Sequence, residues 1–253
     1  MQRRSWWRIG VLAAAIAAFV AAAMARAEGP GRQATLPENT PFTEAPAAES
    51  AAIAGLIDRA GSALAAGRTP SDLLADPELL PAHEHPRFRK LIREKAQAAP
   101  LTLVTPAEPG DRLVIRGVVR TAAGAAAPDV LVYVYQTSAK GLYSDRAAHF
   151  SSGDGDPGHA RLFGYLWTDR SGAYEIRTIR PASYPRSDLP AHVHVHLEPP
   201  HGGSAVITEI VFADDPLLTS PRRHEAEGVG FAICTPERGQ DGTLAAVVDF
   251  RLR

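Results

Sequence analysis

The chain has 253 residues, of which 45% are hydrophobic and 22% are charged, and its formal net charge is −1 at pH 7. A nearly neutral chain without blocks of like charge gives no electrostatic support for binding nucleic acid or a membrane surface. The single cysteine, Cys234, excludes an internal disulfide framework and any multi-cysteine metal site. Its setting in the apolar run "GFAIC" predicts a small buried core residue in a strand.

Residues 1–27 have the layout of a secretory signal peptide. The basic "MQRRSWWR" precedes an uncharged alanine-rich run, and "ARA" at 25–27 is a small-x-small cleavage pattern. We therefore expect cleavage after Ala27, no stable membrane span in the mature protein, and a periplasmic or secreted location. An uncleaved membrane anchor is the alternative. Arg3 and Arg4 also fit a twin-arginine signal, so both the twin-arginine and the general secretory routes stay open.

The next two stretches differ in composition. Residues 28–46 are rich in Pro, Gly, Thr and Glu without periodicity, which predicts a flexible leader. Residues 47–105 predict a small helical region, because "ESAAIAGLIDRAGSALAAG" and "HPRFRKLIREKAQA" space their apolar residues three and four apart. This region is a candidate lid or dimerisation element of a homodimer. Within it, "HEH" at 83–85 directly precedes Pro86 and is expected to form a surface turn.

Residues 106–253 predict a β domain. Short β-branched and aromatic runs are separated by Gly, Pro, Asp or Ser, with no long helical interval between them. This pattern indicates an antiparallel β-sandwich, so the predicted fold class is mainly β with a small N-terminal helical region. The run "VLVYVY" is apolar on both faces and predicts a central strand, and "DDP" at 214–216 predicts a turn.

The stretch "HVHVHL" at 192–197 predicts a strand with a histidine face. Successive side chains alternate faces, so Val193, Val195 and Leu197 should point into the core. Adjacent histidines are then roughly 7 Å apart at Cα and can converge on one metal ion, whereas the outer two are about 13 Å apart. Spacing leaves two pairs open, 192/194 and 194/196. A solvated strand face without metal is the alternative.

Two imidazoles leave a metal ion short of ligands. A carboxylate from Glu209 or from the aspartates of "DDP" would give the two-histidine-one-carboxylate arrangement of ferrous enzymes. Tyr143 in "KGLYSD" and Tyr184 in "ASYPRS" are further candidates, because a bound cation favours the ionised phenol. The residues alone leave these choices open.

Four longer stretches resemble the intradiol ring-cleavage dioxygenases, which use non-haem Fe(III). They are "LVIRGVVRTAAGAAAPDVLVYVYQTSAKGLYSD", "GYLWTDRSGAYEIRTIRPASYP", "PAHVHV" and "ITEIVFADDPLL", and they stand in the family's order from about Leu113 to Leu218. The resemblance implies a catecholic small-molecule substrate and O2. The ring would open between its two hydroxyl-bearing carbons to a muconate-type diacid.

The resemblance also implies a ligand set. The Fe(III) ligands would be Tyr143, Tyr184, His192 and His194. His196 would then lie beside the site, and Tyr184 would be the ligand that leaves the metal when substrate binds.

Two positions depart from the family's pattern. The family usually has an arginine near the histidine pair, whereas Leu189 stands directly before "PAH". Arg186, two residues after Tyr184, is the candidate for the catalytic arginine that stabilises charge on the ring. Glu209 stands where the family commonly has a glutamine.

Two other functional classes compete with the dioxygenase. A non-catalytic periplasmic β-sandwich could bind copper or zinc through the histidine strand alone. A sandwich that binds peptide or sugar without any metal is the third hypothesis. The tyrosines discriminate between the first two, because a histidine-only site does not need Tyr143 or Tyr184.

Overall fold

A computed structural model describes residues 50–144 and 160–253 of the chain. The predicted signal peptide, the predicted leader and the first residues of the helical region lie outside the described residues. Within the described ranges, no helix has the length and apolarity needed to cross a membrane.

Four short helices occupy the region predicted to be helical. Ser50 caps the first by accepting a hydrogen bond from the Ile53 N–H, and Thr69 forms a capping box with Asp72 at the second. Prolines stand in the first turn of the second, third and fourth, where a missing N–H costs nothing. The helices are α1 (Ala51–Ala65), α2 (Pro70–Leu74), a 3-10 helix (Pro77–Ala82) and α3 (Pro86–Glu94).

The rest of the described chain is mostly strand. One further α-helix, α4 (Ser220–Val229), and a short 3-10 helix (Pro200–Gly202) interrupt it. The strands are β1 (Leu101–Thr102), β2 (Arg112–Arg120), β3 (Leu131–Gln136), β4 (Leu162–Trp167), β5 (Ala173–Ile179), β6 (His192–Glu198), β7 (Val206–Phe212), β8 (Ala232–Cys234), β9 (Glu237–Arg238), β10 (Leu244–Val247) and β11 (Phe250–Arg251).

The strands form two sheets, and the predicted β-sandwich class is confirmed. The first sheet has the order β1-β5-β2-β10-β9, with β11 also on β2, and the second has the order β4-β3-β6-β7-β8. The long central pairs are antiparallel as predicted, but the pairs β1–β5, β2–β10, β2–β11 and β7–β8 are parallel. A parallel pair needs a crossover connection, which α4 provides between β7 and β8. The sheets are therefore mixed.

The second sheet contains the histidine strand at its centre. All six residues of β3 are buried, as predicted for a central strand. In β6, Val193, Val195 and Leu197 are fully buried, which confirms the predicted core face. Antiparallel pairing places Tyr135 of β3 and Glu209 of β7 directly opposite His194. Register thus determines which side chains surround the histidines.

The prediction of a surface turn at "HEH" is wrong for its first residue. His83 is fully buried, and its ring stacks on Phe88 of α3 with centroids 5.1 Å apart. Its Nδ1–H donates to the carbonyl oxygen of Arg161, 3.1 Å away. His85 instead caps α3 by accepting a hydrogen bond from the Arg87 N–H. A partner distant in sequence determines the burial of His83, so local composition is a poor guide here.

Burial of His83 makes stability depend on pH. Burial lowers its pKa from an ordinary 6.5 to about 4. Above pH 6.5 the imidazole is neutral in both states, whereas between pH 6.5 and 4 only the unfolded chain binds the proton. This site therefore lowers the free energy of unfolding as pH falls through that window.

We predict that between pH 7 and 4.5 the metal-free protein loses about 2 to 3 kcal/mol more stability than the His83→Phe variant. Phenylalanine keeps the ring contact with Phe88 and cannot be protonated. Denaturant unfolding of both proteins at the two pH values measures the difference. Equal losses in the two proteins would show that His83 does not titrate differently on folding.

Candidate metal centre

The histidine strand brings one pair of imidazoles together. The Nε2 atoms of His192 and His194 are 3.1 Å apart, and both side chains are largely buried. His196 lies further along the same face, with its ring edge against the ring of Tyr133. Of the two pairs that strand spacing allows, the structure joins the first.

The contacts of the two Nδ1 atoms, called the outer nitrogens below, determine that the Nε2 atoms of the two imidazoles face each other. Nδ1 of His192 donates to the carbonyl oxygen of Pro190 at 2.8 Å, because a carbonyl can only accept. Nδ1 of His194 lies 3.4 Å from Oε1 of Glu209. In neutral imidazoles with these tautomers, the Nε2 lone pairs of both rings point at the same small volume.

Two phenol oxygens complete this volume. Oη of Tyr143 is 2.6 Å from Nε2 of His194, and Oη of Tyr184 is 2.8 Å from Nε2 of His192. The two phenol oxygens are 2.7 Å apart. The four atoms therefore form a closed ring of two nitrogen and two oxygen donors, drawn from β6 and from two separate loops.

The tyrosine loops are attached to each other at the backbone. Oγ1 of Thr137 donates to the carbonyl of Ala182 at 2.7 Å, and the Ala182 N–H donates to the carbonyl of Ser138 at 3.2 Å. Gly141 has a φ of +75°, and a Cβ added there would lie 2.0 Å from the Ser183 carbonyl oxygen. Only glycine permits this approach, so it sets the distance between the loops.

Neighbouring side chains orient the histidine strand. The ring of Tyr135 stacks on that of His194 with centroids 4.4 Å apart and planes 10° apart. Oδ2 of Asp215 accepts the Ala191 N–H at 3.0 Å, immediately before the strand. Tyr135 was not among the residues singled out from the sequence. The signal that identifies it is the cross-strand register opposite His194.

The carboxylates considered from the sequence have different positions. Asp214 forms a two-bond ion pair with Arg180, at 2.7 and 2.9 Å, and Asp215 accepts the Leu217 N–H at 2.8 Å. The predicted turn at these aspartates is thus confirmed. Glu209 lies nearer the histidine pair. One carboxylate oxygen of Glu209 and one ring nitrogen each of His192 and His194 lie within 4.8 Å of one another. Its carboxylate faces the outer nitrogen of His194.

In the absence of a cation, burial favours the neutral forms of the two phenols, the His194 imidazole and the Glu209 carboxyl. It raises the pKa of the Tyr143 phenol well above its ordinary value, with the Tyr184 phenol adding to the effect, and it also raises the pKa of Tyr184. It lowers the pKa of His194 and raises that of Glu209. A buried cation would reverse the shifts of the phenols, because it stabilises phenolate. Two imidazole lone pairs and two ionisable phenols suit a hard trivalent ion such as Fe(III).

The predicted catalytic arginine lies at the edge of the site. Arg186 is exposed, has a φ of +62°, and forms no ion pair with the described part of the chain. Leu189, at the position where an arginine was expected, is buried. Arg222 of α4 contacts the same loop through an ion pair with Asp188 at 2.6 Å, and this contact was not predicted.

Known proteins share this arrangement of segments. A family model described as Dioxygenase matches residues 83–229, more than half of the chain. The protocatechuate 3,4-dioxygenase beta chain of Burkholderia cepacia is 33% identical over 114 residues, which cover 43% of this chain and 48% of the relative. The chain therefore spans about half the length of this curated relative.

Solved structures with related folds were also found. The dioxygenase domain of a carbohydrate-binding fusion protein from Streptomyces sp. SirexAA-E is 22% identical, with a TM-score of 0.47. The similarity covers 62% of this chain and 88% of that chain. Catechol 1,2-dioxygenase from Acinetobacter sp. ADP1 is also 22% identical, with a TM-score of 0.48, and 62% and 57% of the two chains are covered.

We predict that Gly141→Ala weakens iron binding by at least about tenfold, because its Cβ would separate the tyrosine loops. The matched control is Gly124→Ala. Gly124 also has a positive φ, of +88°, but an added Cβ there has no closer contact than 3.5 Å. Both variants carry the left-handed strain of about 1 to 2 kcal/mol, and only the first carries the clash. Competition with a chelator measures iron affinity, and equal affinities in the two variants would contradict the role of Gly141.

Proposed function

Because the chain belongs to the intradiol ring-cleavage dioxygenase family, we propose that it opens catechol-type rings with O2 in an Fe(III)-dependent reaction. Cleavage falls between the two hydroxyl-bearing carbons and gives a muconate-type diacid. The observation that carries the proposal is the ring of four donor atoms, with neighbouring atoms 2.6 to 3.1 Å apart. A site made of histidines alone has no use for two phenols at this distance.

Intradiol dioxygenases use non-haem Fe(III), and the residues that would hold it here are Tyr143, Tyr184, His192 and His194. When bound, Fe(III) would supply the Lewis acidity that binds a catechol and prepares the ring for O2. Two phenolates and two neutral imidazoles compensate two of its three positive charges. The remaining charge favours a substrate that binds as an anion.

The two tyrosines have different roles in the proposal. Tyr143 is buried, and its carbonyl oxygen accepts a hydrogen bond from the Arg161 N–H at 2.8 Å. Tyr184 is only half-buried and lies beside exposed Pro185 and Arg186. Tyr184 would therefore be the ligand that gives way to substrate, and its Oη would take one of the two catechol protons. Arg186, on the same loop, is the proposed partner for negative charge on the ring.

Glu209 bears on the choice of substrate. Its Oε1 lies 3.4 Å from Nδ1 of His194, and a carboxylate oxygen of Glu209 and one ring nitrogen each of His192 and His194 lie within 4.8 Å of one another. Burial raises its pKa, which reduces the negative charge that it adds beside the phenolates. The reduced charge favours an anionic substrate at the metal.

We also propose export to the periplasm or beyond, which rests on the signal-like residues 1–27. A mature exported protein whose measured mass corresponds to a chain beginning at Glu28 would support it. A mass that retains the first 27 residues would contradict it.

Oxygen uptake with catechols, hydroxyquinols and protocatechuate-like acids tests the proposed reaction. We predict uptake with at least one of them and a ring-opened diacid as product. Tyr184→Phe should lower kcat/KM by at least about 100-fold, because it removes both a ligand and the proton acceptor. Tyr174→Phe is the matched control, since the Tyr174 hydroxyl donates to the Val248 carbonyl in the other sheet.

Two results would contradict this proposal. One is the absence of oxygen uptake with every ring in the panel by iron-loaded protein. The other is cleavage outside the pair of hydroxyl-bearing carbons. Equal loss of activity in both tyrosine variants would contradict the role given to Tyr184.

A further inference from the structure

The segment from His83 to Arg89 holds both sides of the chain around Tyr143. We define the stem as residues 143–144 and 160–161. Oγ of Ser144 donates to Oε1 of Glu84 at 2.8 Å. On the other side, His83 donates to the Arg161 carbonyl at 3.1 Å, and Nη1 of Arg89 donates to the Ala160 carbonyl at 2.8 Å. One short segment before and within α3 therefore reaches both arms of the stem.

The two arms of the stem are also bonded to each other and to the sandwich. The Arg161 N–H donates to the Tyr143 carbonyl at 2.8 Å. The Arg161 guanidinium makes two hydrogen bonds to Glu108, at 2.7 and 2.9 Å. Ser144, Arg161 and Glu108 are all buried. A buried ion pair with two hydrogen bonds has a fixed geometry. Residues 160–161 are therefore held rigidly and can position residues 143–144.

We infer that Glu84 is a positioning residue for Tyr143. The Tyr143 carbonyl is held by Arg161, and the next residue, Ser144, is held by Glu84. With the backbone held at these two points, only two side-chain torsions separate the Tyr143 Cα from the phenol oxygen, which lies 2.6 Å from Nε2 of His194. The inference rests on the proposed role of Tyr143 as an iron ligand. It gives the "HEH" motif a function that the dioxygenase reaction alone does not explain.

The bond between Glu84 and Ser144 suits this role. A hydroxyl that donates to a carboxylate makes a charge-assisted hydrogen bond, stronger than one between neutral groups. Prolines at 81 and 86 stand on either side of Glu84, and His85 caps α3, so the backbone of Glu84 has little freedom. When a residue that orients a metal ligand through a hydrogen bond is removed, the affinity of the site for the metal typically falls 10- to 100-fold.

The experiment compares four single variants and one double variant. Glu84→Ala and Ser144→Ala, alone and combined, remove the contact, whereas Glu84→Gln keeps an oxygen that accepts the Ser144 hydroxyl. Glu78→Ala is the matched control, since Glu78 lies in the same helical region with a side chain 72% exposed and paired with Arg59. The readouts are the iron dissociation rate, the visible phenolate-to-Fe(III) absorption, and amide hydrogen exchange of the stem in metal-free protein.

We expect Glu84→Ala and Ser144→Ala each to speed iron dissociation about tenfold, to shift the visible absorption and to accelerate stem exchange. The double variant should be no worse than either single variant, because both remove the same bond. Glu84→Gln should stay near the unchanged protein, and Glu78→Ala should match it.

Unchanged iron dissociation and unchanged stem exchange in Glu84→Ala would overturn the inference, as would equal effects of Glu78→Ala. Additive losses in the double variant would do the same. If Glu84→Ala does not fold, Ser144→Ala decides the question alone. Failure of the proposed function is distinguishable, because it would appear as absent oxygen uptake by the unchanged iron-loaded protein, whereas failure of the inference would appear only in the variants.

Discussion

The rest of the structure depends on one constraint. Two imidazole nitrogens and two phenol oxygens must lie within about hydrogen-bonding distance of one another in the interior of the protein. Two of them, the imidazole nitrogens of His192 and His194, face each other at 3.1 Å and have their outer nitrogens directed to acceptors. Without a cation, hydrogen bonds join the four donor atoms to one another. In our proposal, a trivalent ion such as Fe(III) would convert the same contacts into ligation by two phenolates and two imidazoles.

Three layers of structure keep these donors in place. The alternation of β6 directs the histidines to one side and Val193 and Val195 to the core, so the pair cannot turn away without losing buried apolar area. The tyrosine loops approach each other at Gly141, where only glycine fits. Beyond them, His83, Glu84 and Arg89 contact the stem that carries Tyr143. The small helical region thereby becomes part of the site's support.

The sequence predicts side-chain orientation correctly where strand alternation determines it. It fails where contacts with residues distant in the chain determine burial. Alternation predicted the core face of β6, but it could not choose between the pairs 192/194 and 194/196, because both have the same Cα spacing; only resemblance to a family selected the first. Burial of His83 depends on Arg161, 78 residues away. No local sequence pattern indicates the approach of Gly141 to Ser183. The same holds for the parallel edge strands, some of which are only two residues long.

Metal analysis combined with visible absorption of the purified protein, unchanged and as Tyr143→Phe, tests the central claim most directly. We predict about one iron per chain in the unchanged protein, with a phenolate-to-Fe(III) charge-transfer band that weakens or shifts in the variant. Tyr143 contributes one of the two phenol oxygens, so its loss must alter the band if both are ligands. A colourless protein with stoichiometric zinc or copper, unaffected by the substitution, would contradict the account.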